Sequence, residues 1–215
     1  MKFLALAGIL LFTAFGTSMA QEEKSYVELK NEGNEALKGK DFGKALELYE
    51  SSIAVWPAEE AMDAAMVYNA ATCARRINNH EKAIELYTKS QELDYKADLS
   101  AYYKANAFQD LGRETEMEEF LLKSIEEYKT SSVIGHMKKL LVTYYLKQGV
   151  EPYNRASQIL ASAANADPSQ YEEITAKANE AFTEAKPWFE KALALDAANE
   201  NALAAIKTID ENLSK

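Results

Sequence analysis

Asp41-Phe42-Gly43-Lys44-Ala45-Leu46-Glu47-Leu48-Tyr49 and Asn79-His80-Glu81-Lys82-Ala83-Ile84-Glu85-Leu86-Tyr87 place an alanine, an aliphatic residue and a tyrosine at the same offsets, 38 residues apart. A weaker copy, Met117-Glu118-Glu119-Phe120-Leu121-Leu122-Lys123-Ser124, starts 34 residues after Ala83. A repeat of this length marks stacked helical pairs, because one pair has an apolar face that it cannot bury alone.

Composition agrees with that reading. Of 215 residues, 47% are apolar or aromatic and 27% charged, which is too apolar for a disordered chain. The 8 Gly and 4 Pro are too few for a loop-rich or fibrous one, and the recurring Ala, Glu, Lys and Leu favour helix. The single cysteine, Cys73, cannot form an internal disulfide. Lys2, the apolar run Phe3 to Phe12 and the small residues ending at Ala20 make residues 1–20 a cleavable secretory signal, cut before Gln21. That run is shorter than the roughly 20 residues needed to span a bilayer, so the mature chain is expected to be soluble and free of membrane insertion. Export without disulfides points to the periplasm first and to secretion second. The formal charge of −10 becomes one unit more negative when Lys2 leaves with the signal. Such a charge disfavours nucleic acid and anionic membranes as partners.

The repeated blocks resemble the tetratricopeptide-repeat (TPR) family, whose unit has small residues near positions 8, 20 and 27 and an aromatic near 24. Position 8 is Gly33, Ala71 and Ala105; position 20 is Ala45, Ala83 and Met117. Position 24 is Tyr49, Tyr87 and Leu121; position 27 is Ser52, Ser90 and Ser124. The resemblance implies an all-α, right-handed α-solenoid of about four to five helix pairs with a C-terminal capping helix, a single domain over 21–215. Clear repeats span 26–59, 64–97 and 98–131, with extra residues between the first two near Pro57 to Met62. Residues 132–168 form a divergent unit with a turn expected at Gly149. Residues 169–197 read as one long helix bent at Pro187, with a conventional fifth pair as the competing assignment. The cap helix covers 199–213.

In this family the first helix of each unit lines the concave side. That implies a groove of Lys30, Asn34, Tyr68, Asn69, Thr72, Arg75, Arg76, Tyr102, Tyr103, Asn106 and Lys139. Lys38 and Lys147 join its cations, against one acid, Asp110, so the groove is expected to be positive. Asparagine can satisfy both the carbonyl and the amide of a bound backbone, and tyrosine adds a flat apolar face with a polar tip. Lys30-x-x-x-Asn34 and Asn69 match the carboxylate-clamp pattern of TPR co-chaperones, but Leu99 and Tyr103 stand where that pattern has Lys-x-x-x-Arg. The function expected is a non-enzymatic adaptor or scaffold of the bacterial cell envelope, holding an extended peptide or helix of another protein, acidic or carboxylate-ended. One alternative is a structural subunit of an envelope or secretion assembly that associates through its convex face or ends. Another is an enzyme or small-ligand carrier.

Motifs for chemistry are sparse. His80 and His136 lie 56 residues apart with no metal-ligand spacing around them, and no phosphate-cradling glycine pattern occurs. No cofactor or metal is expected. Cys73 is expected to be an enclosed, inert thiol, and Trp188 to pack against the cap helix.

Overall fold

The computed structural model describes residues 24–214; the signal-peptide assignment lies outside them. Six helices of similar length come first: α1 (Tyr26–Lys38), α2 (Phe42–Ala54), α3 (Ala64–Arg76), α4 (His80–Glu92), α5 (Ala97–Asp110) and α6 (Glu114–Glu127). Two long helices follow, α7 (Ile134–Ser162) and α8 (Tyr171–Leu195), and then α9 (Glu200–Leu213). The first six form the three hairpins expected from the period, and the first helices of the first two begin at side-chain caps, whereas α5 follows Lys96 without one. Ser25 and Glu28 form a reciprocal capping box at α1, and Asp63 accepts the Met66 amide at α3. Asp41 and Asn79 cap α2 and α4 in the same way. The long connection between the first two hairpins occupies the residues around Pro57 to Met62.

Small residues set the helix spacing. A Cβ on Gly33 would stand 2.7 Å from Cε1 of Tyr49, a ring with no exposed surface. Ala45, Ala71, Ala83 and Ala105 are likewise fully buried, so small residues stand at the helix contacts of all three hairpins, and in the first the Gly33 backbone packs directly on a ring. Neighbouring hairpins are also laced at the surface. Lys82 meets Glu50 at 2.9 Å, Arg113 meets Glu81 at 3.1 Å and Lys147 meets Glu114 at 2.6 Å. Exposed pairs of this kind contribute about 0–1 kcal/mol each, so the stack is held by burial and oriented by charge.

The C-terminal part departs from the expected pattern. Gly149 is not a turn: α7 runs unbroken through Gly149 and Pro152, and the chain reverses only at 163–170 through two short 3-10 turns. The physical reason is the α8 neighbour, because a Cβ at Gly149 would sit 3.0 Å from the Phe189 ring. This glycine serves close helix approach, and α8 covers α7 on both sides of it. Residues 132–168 therefore supply one helix of a long hairpin rather than a pair, and 169–197 supply the other, continuous through Pro187. The stack comprises three short pairs, one long pair and the amphipathic α9. Trp188 packs on Tyr144 and Tyr145 of α7, at 6.2 Å between ring centres, where the sequence had suggested the cap helix.

The buried residues fall into two cores. One joins α1 to α4 and includes Ala107 of α5; the other runs from Ala101 of α5 through α9. Among the described residues no helix is long and apolar enough to cross a membrane.

Candidate functional site

The seam between the two cores carries a cluster of tyrosines and cations. Tyr102 leans on the C-terminal core and Tyr103 on the N-terminal one, with 5.3 Å between their rings. Tyr103 stacks on Tyr87 of α4 at 5.7 Å, and Tyr87 meets Tyr68 of α3 edge-on at 5.9 Å. Tyr68 in turn meets Tyr95 at 5.9 Å, and Tyr102 meets His136 of α7 at 5.6 Å.

Two cations are fixed on this wall. Arg75, at the end of α3, donates through Nε to the Tyr87 hydroxyl at 3.3 Å and lays its guanidinium 4.3 Å from the Tyr103 ring centre. Lys96 places its ammonium 4.6 Å from the Tyr68 ring centre and 5.5 Å from that of Tyr95. Its backbone is left-handed, with φ 45°, in the turn that starts α5. Among the described residues neither side chain forms an ion pair with a carboxylate, whereas twelve lysines and arginines do. Burial first, then the neighbouring Tyr87 and Tyr103, pushes the Tyr68 phenol up to about 12. Burial likewise raises Tyr87, against the opposing pull of Thr72 and Arg75. Tyr87 is fully enclosed and Tyr68 nearly so, which makes them the support of the wall, while the half-buried Tyr95, Tyr102 and Tyr103 present ring faces beside fixed positive charge.

The remaining groove residues divide between this cluster and other places. Thr72 lies 3.5 Å from the Tyr87 hydroxyl and bonds back to the Tyr68 carbonyl at 3.0 Å, and Asn106 donates to the Tyr102 carbonyl at 2.7 Å. Asn34 accepts from the Tyr49 hydroxyl at 2.8 Å, and Asn69 flanks the same hydroxyl. Arg76 is exposed, 5.8 Å from the Phe42 ring. Lys139 stands apart on α7 in a separate trough. Three of the six expected groove cations are neutralised: Lys30 by Asp63 at 3.2 Å, Lys38 by Glu35 at 3.9 Å and Lys147 by Glu114 at 2.6 Å. The clamp-like Lys30 is thus tied into the fold. Tyr87, Tyr95, Lys96 and His136 join the site without having been expected there. Tyr87 was hidden in its role as a packing residue, and Lys96 lies in a turn outside every first helix.

The Lys30–Asp63 contact carries a pH signature. Burial acts to raise the Asp63 carboxyl, but the Met66 amide, the Lys30 ammonium and the Ala65 amide together hold it below its ordinary 3.8. A lowered folded-state value adds stability that is present above the unfolded value and disappears as pH falls through the folded one. Asp63→Ala should therefore cost about 1 kcal/mol at neutral pH, the usual worth of a lost N-cap. Urea melts should show that deficit shrinking below pH 3.8; a deficit unchanged down to pH 2 would refute this account.

Cys73 has no exposed surface, and burial pushes its thiol up to about 11. It stays protonated and enclosed, which removes the basis for nucleophilic chemistry at this residue.

The fold is that of the tetratricopeptide-repeat proteins. A TPR repeats protein from Bacteroides fragilis NCTC 9343 superposes with a TM-score of 0.56 at 21% identity, over 88% of this chain and 99% of that one. The myosin chaperone UNC-45 from C. elegans, in complex with a Hsp90 peptide, gives a TM-score of 0.48 at 18% identity, over 89% of this chain and 24% of that one. No family model matches the sequence, and no curated protein does.

Proposed function

We propose that the protein is an interaction adaptor of the bacterial cell envelope, exported by its N-terminal signal, that holds an acidic segment of another protein against the Tyr68–Tyr103 wall. The observation that carries this reading is the Arg75 guanidinium, bonded to Tyr87 and stacked on Tyr103 but without a carboxylate partner among the described residues. Its Nε is used, which leaves the terminal amines to meet a carboxylate as a planar fork. Lys96 supplies a second charge on the same wall, and the half-buried Tyr95, Tyr102 and Tyr103 supply rigid contact area at low entropic cost. The fold shared with the Bacteroides fragilis protein is consistent with binding, but the argument rests on the cluster. Export is supported by the leader-like residues 1–20 and by the single, enclosed cysteine.

The test is a titration of a fluorescein-labelled, glutamate-rich peptide and its lysine-rich counterpart at low and high salt. The acidic peptide should bind, and its affinity should fall several-fold as added salt screens the exposed charges. Equal binding of both peptides, or binding indifferent to salt, would remove the basis for an acidic partner.

A further inference from the structure

The long hairpin and the terminal helix enclose a second surface, which begins on α7 beside His136, the last residue of the tyrosine wall. α9 packs on α8 and touches α7 only slightly, so a trough opens between α7 and α9. One part, of about 400 Å³, lies between Lys138, Lys139 and Val142 of α7 and the Leu195–Asn199 corner. The adjoining part, of about 350 Å³, shares Leu146 and continues past Val150 and Tyr153, opposite Ala204 and Ala205 of α9. On α7 the residues 139, 142, 146, 150 and 153 recur every three or four positions, a single stripe along the helix. It extends about 20 Å. Val150 is 45% exposed and Leu146 and Tyr153 are half-buried, so the stripe is open along this part, whereas Val142 is buried.

From this surface we infer that the trough is a docking site for an amphipathic helix of a partner protein, with an acidic first turn lying against Lys138 and Lys139. Three observations support that occupant over an extended one. First, the polar rim is largely self-satisfied: the Thr208 hydroxyl bonds to the Ala204 carbonyl at 3.1 Å, and Asn199 caps α9 through the Ala202 amide at 3.1 Å. The amides of Asn154 and Asn201 and the Thr143 hydroxyl remain along the lining. An extended chain of this length would bring about six residues and about a dozen backbone groups, far more than these can pair. A helix arrives with its backbone bonds already made. Second, the α9 wall consists of small residues, which leaves room for the side chains of an incoming helix. Third, cations outnumber acids at the mouth. Lys138 and Lys139 line it against one carboxylate, Asp196, which keeps its charge while accepting from the Ala198 backbone amide at 3.3 Å and the Asn199 side-chain amide at 3.2 Å, and Lys139 forms no ion pair among the described residues. A helix N-terminus carrying Glu meets both its own dipole preference and these lysines.

The experiment uses the full mature chain and a labelled helical peptide of four turns, with leucines at three- and four-residue spacing and glutamates in its first turn. Binding followed by anisotropy should be saturable and should weaken roughly tenfold or more in Val150→Glu and in Ala204→Arg, as expected for residues at the centre of a contact. Both positions are exposed, and unchanged helicity in circular dichroism confirms the fold of the variants. Arg75→Glu should leave this affinity unaltered, which separates the trough from the tyrosine wall. A peptide with lysines in its first turn should bind more weakly. Four results would overturn the inference: no binding of the acidic helix at millimolar peptide, equal affinity for a proline-interrupted version, indifference to both trough variants, or a concentration-dependent dimer of the chain alone that Val150→Glu abolishes.

Discussion

Phe189→Ala is expected to remove about 3–5 kcal/mol of stability, a large share of what a domain of this size possesses. The ring is 2% exposed, lies over Gly149 of α7 and meets Tyr153 edge-on at 6.0 Å. Truncating it opens a cavity in the α7–α8 contact beside Gly149, which has no side chain to fill it. The reciprocal change makes the same point from the other side. Gly149→Leu relieves the intrinsic helix penalty of glycine, worth about 1 kcal/mol, but forces a branched side chain into space the ring occupies. Overpacking costs about 1–3 kcal/mol, so the net effect should be destabilising. Thermal and urea unfolding followed by circular dichroism would measure both. A Phe189→Ala loss below about 1 kcal/mol would mean that the long hairpin contributes little to the stack.

Arg75→Glu should weaken an acidic partner by about 3 kcal/mol, on the order of a hundredfold, whereas Arg76→Glu should change affinity only a few-fold. The two arginines are adjacent in sequence but not equivalent in space. Arg75 is half-buried and held in position by Tyr87 and Tyr103, so its charge is preorganised. Arg76 is exposed beside Phe42, where salt and side-chain freedom dilute it. Loss of the contact between guanidinium and Tyr103 should cost the fold about 1 kcal/mol, small enough for helicity to persist. Equal effects of the two reversals would show that only general surface charge matters.

Much of the repeat architecture was legible in advance. Tyr49 and Tyr87 and the alanines at 45 and 83 are local signals, and each appears in the structure in the role its spacing suggested, whereas the caps Asp41 and Asn79 emerge only with the structure. The misreading at Gly149 came from a residue with two uses. Glycine ends helices, but it also lets a neighbour approach, and only the presence of Phe189 across the contact decides between them. The groove cations were harder to sort. Lys30 and Lys147 find carboxylates 33 residues away, at Asp63 and Glu114, close to but not at the repeat spacing. A comparison at that offset would have marked them as engaged, and would have left Arg75 opposite Phe42 and Phe108.

The amino-acid order alone determined that this chain is helical, that its helices come in pairs and which residues are small enough to let them touch. Those properties depend on neighbours within a turn or two. Tertiary structure alone decided where the long hairpin reverses, which cations keep a free face, and that a tyrosine wall and an apolar trough lie on different parts of one stack. Each of these depends on side chains brought together from separate helices, and a one-dimensional period specifies the face of a helix without specifying what stands opposite it.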